Sequence, residues 1–246
     1  MPMHDTAATP PRRRLYLMRH GSVDYFLDDG TPVRPDSVPL NADGRAQADA
    51  AGALFGAAGV RFDRVLASGL PRTVETAERV LAAAGPLARP AAGIEIDPDL
   101  QEIRAGRLAD LPRDPAALRE AFVGAFEGRG PADGIEGNRF LGGETVGALL
   151  DRVLPAFERV LADDGWRCAL LVLHGGVNRA LLGRALTGGR AFLGAIEQAP
   201  ACINVLDVGP ATVVRAINLA PTQWLHERER LTTMEKLLAQ YQRLPR

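Results

Sequence analysis

The chain of 246 residues is short of several residue types, and each shortage narrows what it can be. Its two cysteines, Cys168 and Cys202, lie far apart and form neither a zinc motif nor a disulfide framework, so we expect free, buried thiols. Free thiols suit a reducing compartment, and a cytoplasmic location is therefore expected. No run approaches the roughly 18 apolar residues that cross a bilayer, so no membrane partner is predicted.

The charge of the chain is almost balanced, with 29 basic and 30 acidic residues and a formal net charge of −1. This balance argues against nucleic acid as a partner, because proteins that bind nucleic acid carry an excess of positive charge. Only Lys236 among the basic residues is a lysine, and all the others are arginine. An arginine beside a motif is therefore a weak sign by itself, whereas the four histidines are few enough that their positions are informative.

Strand-sized apolar runs alternate with helical segments along most of the chain. The predicted strands are 15–18, 64–67, 94–96, 169–173, 203–208 and 212–217, of which the last two form an antiparallel pair. Asn41 is a typical N-cap and Pro71 a typical first residue of the helices between them, and a further helix is predicted over 177–186. The alternation predicts an α/β three-layer sandwich, with a mostly parallel central sheet and helices on both faces.

The two ends and one internal segment differ from this pattern. Residues 1–13 are small, polar and contain proline, so we expect a disordered N-terminal tail, and residues 14–246 are expected to form a single domain. Residues 103–142 are rich in Arg, Gly and Pro with one helical patch, which predicts a cap-like insertion. Apolar residues at helical spacing over 231–241 suit packing on the body or on a partner subunit, so a homodimer is a candidate assembly.

Two of the four histidines share one sequence context. His20 and His174 each follow an apolar strand and precede a glycine. In open α/β sheets, ligands bind beyond the carboxyl ends of the strands, so both imidazoles are expected in one site. On this spacing alone, two unrelated loop histidines are the alternative.

Three more residues at strand ends complete a set that suits a phosphate ester. Arg19 precedes His20, Arg72 lies in a first helical turn where amides favour an anion, and Glu102 follows the third strand. Guanidinium groups bind phosphate oxygens and stay charged. A neutral imidazole can attack phosphorus, and a carboxylic acid can protonate the leaving oxygen. Each residue alone is more often a surface or salt-bridged side chain, so the inference depends on the set.

The segments that carry these residues resemble the motifs of the histidine phosphatase superfamily, the phosphoglycerate-mutase-like proteins. The matching segments are Arg19-His20-Gly21, residues 39–48, Ser68 to Thr73 with Glu75-Thr76-Ala77, Leu100-Gln101-Glu102 with Gly106, Gly143-Glu144-Thr145, and residues 173–179. They follow one another in the family's order from about residue 14 to 180 and so cover most of the chain. One such motif would be a weak sign, but the ordered series is specific.

The resemblance implies a role for each residue. His20 would be the nucleophile that carries the phosphoryl group, and Glu102 would protonate the leaving group and then activate water. The residues expected to bind the substrate are Arg19, Gly21, Ser22, Arg72, His174 and Gly175, with Arg19, Arg72 and His174 also counted as catalytic. The resemblance implies no metal and no other cofactor.

Two segments depart from the family pattern. After the His-Gly pair the chain has Ser22 and then residues 23–26, without the asparagine that often helps to bind phosphate in the family. Ser22 is the expected substitute donor. Gly106 is followed by Arg107-Leu108 in place of the frequent acidic and aromatic segment.

Three functions follow from these residues, and the favoured one is a metal-independent phosphomonoesterase. It would hydrolyse a small-molecule phosphate ester through a phosphohistidine intermediate. A phosphoglycerate-type mutase is the alternative, but residues 103–142 do not resemble the basic and aromatic mutase segment. A non-catalytic phospho-ligand binder is the third reading, and the presence of both His20 and Glu102 disfavours it. The arginines of the insertion also raise the idea of a polyanionic substrate; they are Arg104, Arg107, Arg113, Arg119, Arg129 and Arg139. The alternative is an arginine-rich composition spread over a solvated helix and loop.

Overall fold

The computed structural model describes residues 12–27, 29–127, 134–223 and 230–244. Within them the strands are β1 (Arg13–Arg19), β2 (Arg64–Ala67), β3 (Ile94–Ile96), β4 (Cys168–Leu173), β5 (Ile203–Val208) and β6 (Val213–Leu219). They form one sheet in the order β3-β2-β4-β1-β5-β6. The pairs from β3 to β1 are parallel, and β5 is antiparallel to both of its neighbours. The predicted mostly parallel sheet is confirmed.

Helices connect the strands, and α1 and α2 begin at their predicted start signals. They are α1 (Ala42–Ala57), α2 (Pro71–Ala84), α3 (Pro115–Val123), α4 (Val146–Ala162), α5 (Gly175–Thr187) and α6 (Thr233–Gln242). The side chain of Asn41 accepts from the Gly44 amide and caps α1, and Pro71 opens α2. Helix α5 begins two residues before the predicted 177, so that its first amides directly follow His174.

Successive side chains of the central strands enter hydrophobic clusters on opposite faces of the sheet. On β1, Leu15 and Leu17 belong to one cluster and Met18 to the other, and on β4 Leu171 and Val172 divide in the same way. The first cluster includes α4, α5 and the insertion, and the second includes α1 and α2. Each such side chain contributes about 1.5–3 kcal/mol when it is fully buried. This packing is the expected three-layer sandwich.

The outer segments follow the sequence expectations in part. Arg13, placed in the tail by the sequence, is instead the first residue of β1, and its guanidinium carbon lies 4.2 Å from the centre of the Trp166 ring. That contact and its pairing with Val208 of β5 hold Arg13 in the sheet. Residues 1–11 of the predicted tail lie outside the described residues. The single-domain boundaries stay a prediction.

The insertion holds α3 and short 3-10 turns, and its described residues contribute no strand to the sheet. Phe122 of α3 is fully buried and contacts the Tyr241 ring of α6 at 5.3 Å between centres. Leu238 of α6 is also buried against the core. The apolar side of α6 thus packs on its own chain, and the homodimer stays a prediction.

The structure bears on two expectations, those about the cysteines and about a membrane span. Cys168 and Cys202 are free, the first half-buried and the second buried, and burial raises the pKa of Cys202 to about 12. In the part of the chain that the structure describes, no helix has the length and apolarity to span a membrane. The cytoplasmic location stays a prediction.

Candidate active site

His20 and His174 lie side by side at one edge of the sheet. His20 follows the last residue of β1 and His174 follows the last residue of β4, and these two residues are partners in the parallel ladder. Neighbouring parallel strands end at the same edge, which brings the two imidazoles together. Their ring centres are 5.2 Å apart, and both rings are almost completely buried.

The hydrogen bonds of His20 determine which of its nitrogens can react. Nδ1 lies 2.7 Å from the carbonyl oxygen of Gly21, which can only accept, so Nδ1 carries the hydrogen. Nε2 of the neutral ring then has a lone pair, and it accepts from Nε of Arg72 at 3.3 Å. The nucleophilic nitrogen is therefore Nε2, and it faces the Arg72 guanidinium.

Both predicted arginines are buried at this edge. Arg72 occupies the second position of α2, where Pro71 fixes the helix start, and its side chain is 2% exposed. Arg19 ends β1, is 8% exposed, and donates to the carbonyl oxygen of Gln198 at 2.5 Å and to Oγ1 of Thr233 at 3.1 Å. Two guanidinium groups beside one imidazole form a strongly positive site that suits a phosphoryl group.

A chain of hydroxyl groups determines the tautomer of His174. Oγ1 of Thr73 donates to the carbonyl oxygen of Leu70 at 2.8 Å, so it can only accept from Ser68 Oγ, which lies 3.1 Å away. Ser68 therefore uses its hydrogen on Thr73 and accepts from Nε2–H of His174 at 2.7 Å. Nδ1 of His174 has no hydrogen-bond partner among the described residues. Neutral His174 thus has a buried lone pair at Nδ1 and must gain a proton there before it can donate to a phosphoryl oxygen.

Burial and the nearby cations keep both imidazoles neutral. Burial lowers the pKa of His20 well below its usual value, and the charges of Arg72 and Arg19 lower it further. Burial likewise lowers the pKa of His174, with the charge of Arg72 as the next cause. A neutral His20 keeps its lone pair at Nε2, as nucleophilic attack requires.

Glu102 is held at the site by backbone amides. Its Oε1 accepts from the Ile103 amide and its Oε2 from the Gly176 amide in the first turn of α5, both at 3.0 Å. A Cβ atom on Gly176 would lie only 2.5 Å from Oε1 of Glu102. The glycine after Gly175 therefore leaves the room that the carboxyl group needs.

The motif at 143–145 supports the segment that carries Glu102. Arg152 of α4 donates to the carbonyl oxygens of Asp99 and Gln101, each at 2.7 Å, and to that of Glu102 at 3.3 Å. The carboxylate of Glu144 pairs with Arg152 at 3.0 Å, and both side chains are largely buried. This paired arginine fixes the backbone that precedes the expected general acid.

The loop after His20 runs close to the start of α1. A Cβ atom on Gly21 would lie 2.3 Å from the carbonyl oxygen of Gly44, so only glycine fits at this crossing. The amide of Ser22 donates to Oε1 of Gln47 at 2.9 Å. Asn41 caps α1 and bonds Asp24.

A cavity of about 1360 Å³ opens onto this edge. Six of the predicted site residues line it, namely Arg19, His20, Gly21, Ser22, Arg72 and Glu102. His174 and Gly175 are buried next to the cavity and do not line it. Their direct contact with a substrate stays a prediction.

Sequence reasoning missed several residues of the site. Ser68 stood inside a quoted motif, but its contact with a histidine 106 residues away has no local signal. Thr233 of α6 accepts a hydrogen bond from Arg19 and donates one to Oε1 of Glu197 at 2.6 Å. No sequence motif predicts these two contacts. Among the described residues, no group of three His, Cys, Asp or Glu side chains is arranged to hold a metal ion.

A family model matches most of the chain. The model of the histidine phosphatase superfamily (branch 1) matches residues 15–218. A Salmonella paratyphi A protein named "Probable phosphoglycerate mutase GpmB" is 32% identical over 164 residues, which are 66% of this chain and 69% of that protein.

Solved structures share the fold. A provisionally assigned alpha-ribazole-5'-P phosphatase from Escherichia coli matches 84% of this chain and 96% of its own, with a TM-score of 0.61 and 25% identity. A mycobacterial glucosyl-3-phosphoglycerate phosphatase in complex with VO3 matches 84% of this chain and 98% of its own, with a TM-score of 0.61. At 23% identity the second likeness shows the fold alone. Since the family model spans most of its length, this chain belongs to the histidine phosphatase superfamily, whose members are phosphoryl-transfer enzymes.

Proposed function

We propose that this protein is a metal-independent phosphomonoesterase that hydrolyses a small-molecule phosphate ester through a phosphohistidine on His20. The observation that carries the proposal is the state of His20: a buried neutral imidazole whose Nδ1–H is bound to Gly21 and whose Nε2 lone pair faces Arg72. A nucleophile held in one tautomer beside two guanidinium groups suits in-line attack on a phosphoryl group.

The reaction proceeds in two displacements. Nε2 of His20 attacks phosphorus and forms a P–N bond while the P–O bond to the leaving group breaks. Protonated Glu102 gives its proton to the departing oxygen. Glu102 then takes a proton from water, whose oxygen attacks phosphorus, and cleavage of the P–N bond releases phosphate and restores His20. Arg19 and Arg72 neutralise the charge on the phosphoryl oxygens throughout.

The surroundings of the site favour a hydrolase over a mutase. A phosphoglycerate mutase must also hold the carboxylate of its substrate while the intermediate reorients, which calls for cations inside the cap. The insertion instead lines the cavity with Phe122, Phe126 and Phe140, and its lining arginines Arg104 and Arg107 are exposed. The likeness to a protein named as a phosphoglycerate mutase keeps the mutase as the second candidate.

Trapping the intermediate tests the proposal. The protein is mixed briefly with p-nitrophenyl phosphate, quenched in alkali, in which phosphohistidine survives, and weighed intact by mass spectrometry. We expect one added phosphoryl group in the wild type and none in His20→Ala. The matched control His4→Ala, in the predicted tail, should behave as wild type. A wild type that gains no phosphoryl group, or an adduct that persists in His20→Ala, contradicts the mechanism.

The fate of the adduct separates the candidate functions. A phosphatase discharges it to water, and a mutase discharges it mainly onto added phosphoglycerate. The rate of release should be the same with and without a chelator. Strong loss of activity on chelation would refute the metal-independent reaction.

A further inference from the structure

We propose that the cavity beyond the phosphoryl end is a subsite for an apolar leaving group, and that helix α6 forms one of its walls. The proposal rests on the proposed phosphatase function for its direction, since it assigns the ester's leaving group to that end. The substrate class it names is a phosphate monoester with an aromatic or branched alkyl body, larger than a three-carbon acid.

The first step is the position of α6 relative to the phosphoryl end. Thr233, the first residue of α6, accepts a hydrogen bond from Arg19. An α-helix rises 1.5 Å per residue, so Leu237 lies about 6 Å farther along the axis and Gln240 about 10 Å farther. Both residues line the same cavity. An ester whose phosphoryl group is bound by Arg19 therefore has its leaving group alongside α6.

The second step is the chemistry of the walls around that path. Three distant parts of the chain contribute apolar side chains to the cavity; they are Phe26, Phe126, Phe140, Leu141, Met234 and Leu237. Met234 and Leu237 are half-buried and pack against the main hydrophobic cluster. A concave apolar wall beside a few polar groups is the usual form of a small-molecule site.

The third step is that the walls are joined to one another. Tyr241 of α6 lies 5.3 Å from Phe122 of α3 and 6.3 Å from Phe26 of the loop after His20, between ring centres. Capping of α6 is complete, because the Thr232 and Glu235 side chains bond each other's backbone amides. The subsite is thus a packed surface with a defined shape.

The charges around the subsite argue against a polyanionic leaving group. Arg34, Arg104 and Arg107 line the cavity but are exposed, and Arg107 is 3.9 Å from Asp110. Lys236 of α6 and Glu197, both half-buried, and the exposed Asp36 also line the cavity. Of the other arginines in the insertion, Arg113 is exposed and does not line the cavity, Arg119 pairs with Glu127, and Arg139 donates to the Gly143 carbonyl oxygen. Arg129 lies outside the described residues. Charges of both signs, with the arginines at the solvated rim, do not form a polyanion site.

Binding of two phosphonates, which cannot be hydrolysed, tests the subsite without turnover. Affinities of methylphosphonate and naphthylmethylphosphonate are measured by calorimetry on the full chain. We expect the naphthyl compound to bind at least about tenfold more tightly, as burial of one aromatic ring system predicts. In Leu237→Gln this gain should fall severalfold, while methylphosphonate binding changes less than about twofold. Ala239→Gln, on the side of α6 away from the cavity, should keep the gain.

The outcomes distinguish this inference from the proposed function. Equal affinity of the two phosphonates in the wild type overturns the subsite, even if p-nitrophenyl phosphate is hydrolysed through His20. A clear naphthyl gain without any phosphoenzyme supports the subsite and refutes the phosphatase. If Leu237→Gln does not fold, Met234→Gln replaces it, and a gain that survives in the folded variant contradicts the role of α6.

Discussion

The two ends of the cavity are built from different kinds of structure. At the phosphoryl end, His20 and Arg72 follow a strand or begin a helix, are at most 3% exposed, and have their hydrogen bonds defined. At the leaving-group end, a loop, the insertion and α6 supply side chains that range from the buried Phe122 through the half-buried Met234 to the exposed Arg104. The sheet therefore fixes the chemistry of the site, and the segments around it set which ester fits. Variants at the border of the two ends test this division most severely.

Replacing Glu102 by Gln has the largest expected effect, because this carboxyl group serves the leaving group while it is held by α5. We expect kcat on an alkyl phosphate to fall about 10²–10⁴-fold, since the departing alkoxide then has no proton donor. The rate of the first displacement, from the ester to His20, should fall much less on p-nitrophenyl phosphate, because its leaving group departs as an anion. Stopped-flow measurement of nitrophenol release separates this step from hydrolysis of the adduct. Equal losses in the first step on both esters would contradict the assignment of Glu102 as the acid.

Two glycine variants compare the effect of displacing the Glu102 carboxyl group with the effect of a clash against the backbone. In Gly176→Ala the new methyl group meets the end of the Glu102 side chain, which can move, so the fold survives and the carboxyl group is displaced. A displacement of about 1 Å can cost about 10²-fold in rate. In Gly21→Ala the methyl group meets the Gly44 backbone, and the expected result is a loss of stability of about 1–3 kcal/mol or more.

Measurements of activity and of urea denaturation should therefore distinguish the two glycine variants. Gly176→Ala should lose activity at a nearly unchanged free energy of unfolding, and Gly21→Ala should lose stability first. A Gly176→Ala protein with full activity would show that the amide contact does not position Glu102.

The two histidines of the phosphoryl end should make the stability of the protein depend on pH. In the folded protein the pKa of His20 and that of His174 lie well below about 6.5, the value in the unfolded chain. As the pH falls below about 6.5, the unfolded chain takes up protons that the folded protein does not, so stability falls. Each histidine contributes up to about 1.4 kcal/mol per pH unit until its folded-state pKa is reached.

Urea denaturation at pH 7.5, 6.5 and 5.5 measures this slope. The free energy of unfolding should be level between the two higher values and fall below them. His174→Gln, which can still bond Ser68, should show a shallower slope than the wild type. Asp207, whose pKa is lowered by its pairing with Arg14 and Arg215 against the opposing effect of burial, loses its contribution only at more acidic pH. An unchanged slope in His174→Gln would show that its imidazole titrates in the folded protein.

The same division explains what the sequence could predict. The run Arg64–Ala67 is apolar except at its solvent end, and its predicted bounds are those of β2. His20 and His174 could be placed at one sheet edge because a strand and a glycine flank each of them. These are local patterns repeated by a regular sheet. The contacts that orient the same side chains, such as Ser68 with His174, join residues far apart and leave no pattern in either segment.

The start of the last two helices shows how far local patterns reach. The sequence predicted α5 from 177, but the His-Gly-Gly segment already belongs to its first turn because Glu102 occupies the amide of Gly176. A glycine pair is a poor helix former, so local propensity does not predict this start, at which the Asn178 amide donates to the carbonyl oxygen of His174. For α6 the spacing predicted an amphipathic helix, yet which of its residues meet Arg19 depends on how the chain returns to the sheet.

Thr233 joins the two ends of the cavity and has the smallest expected effect. Thr233→Val removes the acceptor for Arg19 and the donor to Glu197 without changing the side-chain shape. One such hydrogen bond contributes about 0.5–1.5 kcal/mol, so binding of inorganic phosphate should weaken by about two- to tenfold. Thr233→Ser should restore binding, because it keeps the hydroxyl group.

Loss of the cap provides the matched control for this variant. Thr232→Ala removes the N-cap of α6 and should lower stability by about 1 kcal/mol. It leaves the Thr233 hydroxyl in place, so phosphate binding should change less than in Thr233→Val. If Thr232→Ala weakens phosphate binding as much as Thr233→Val does, the contact acts only through the folding of α6, and Arg19 does not depend on the hydroxyl group for its position.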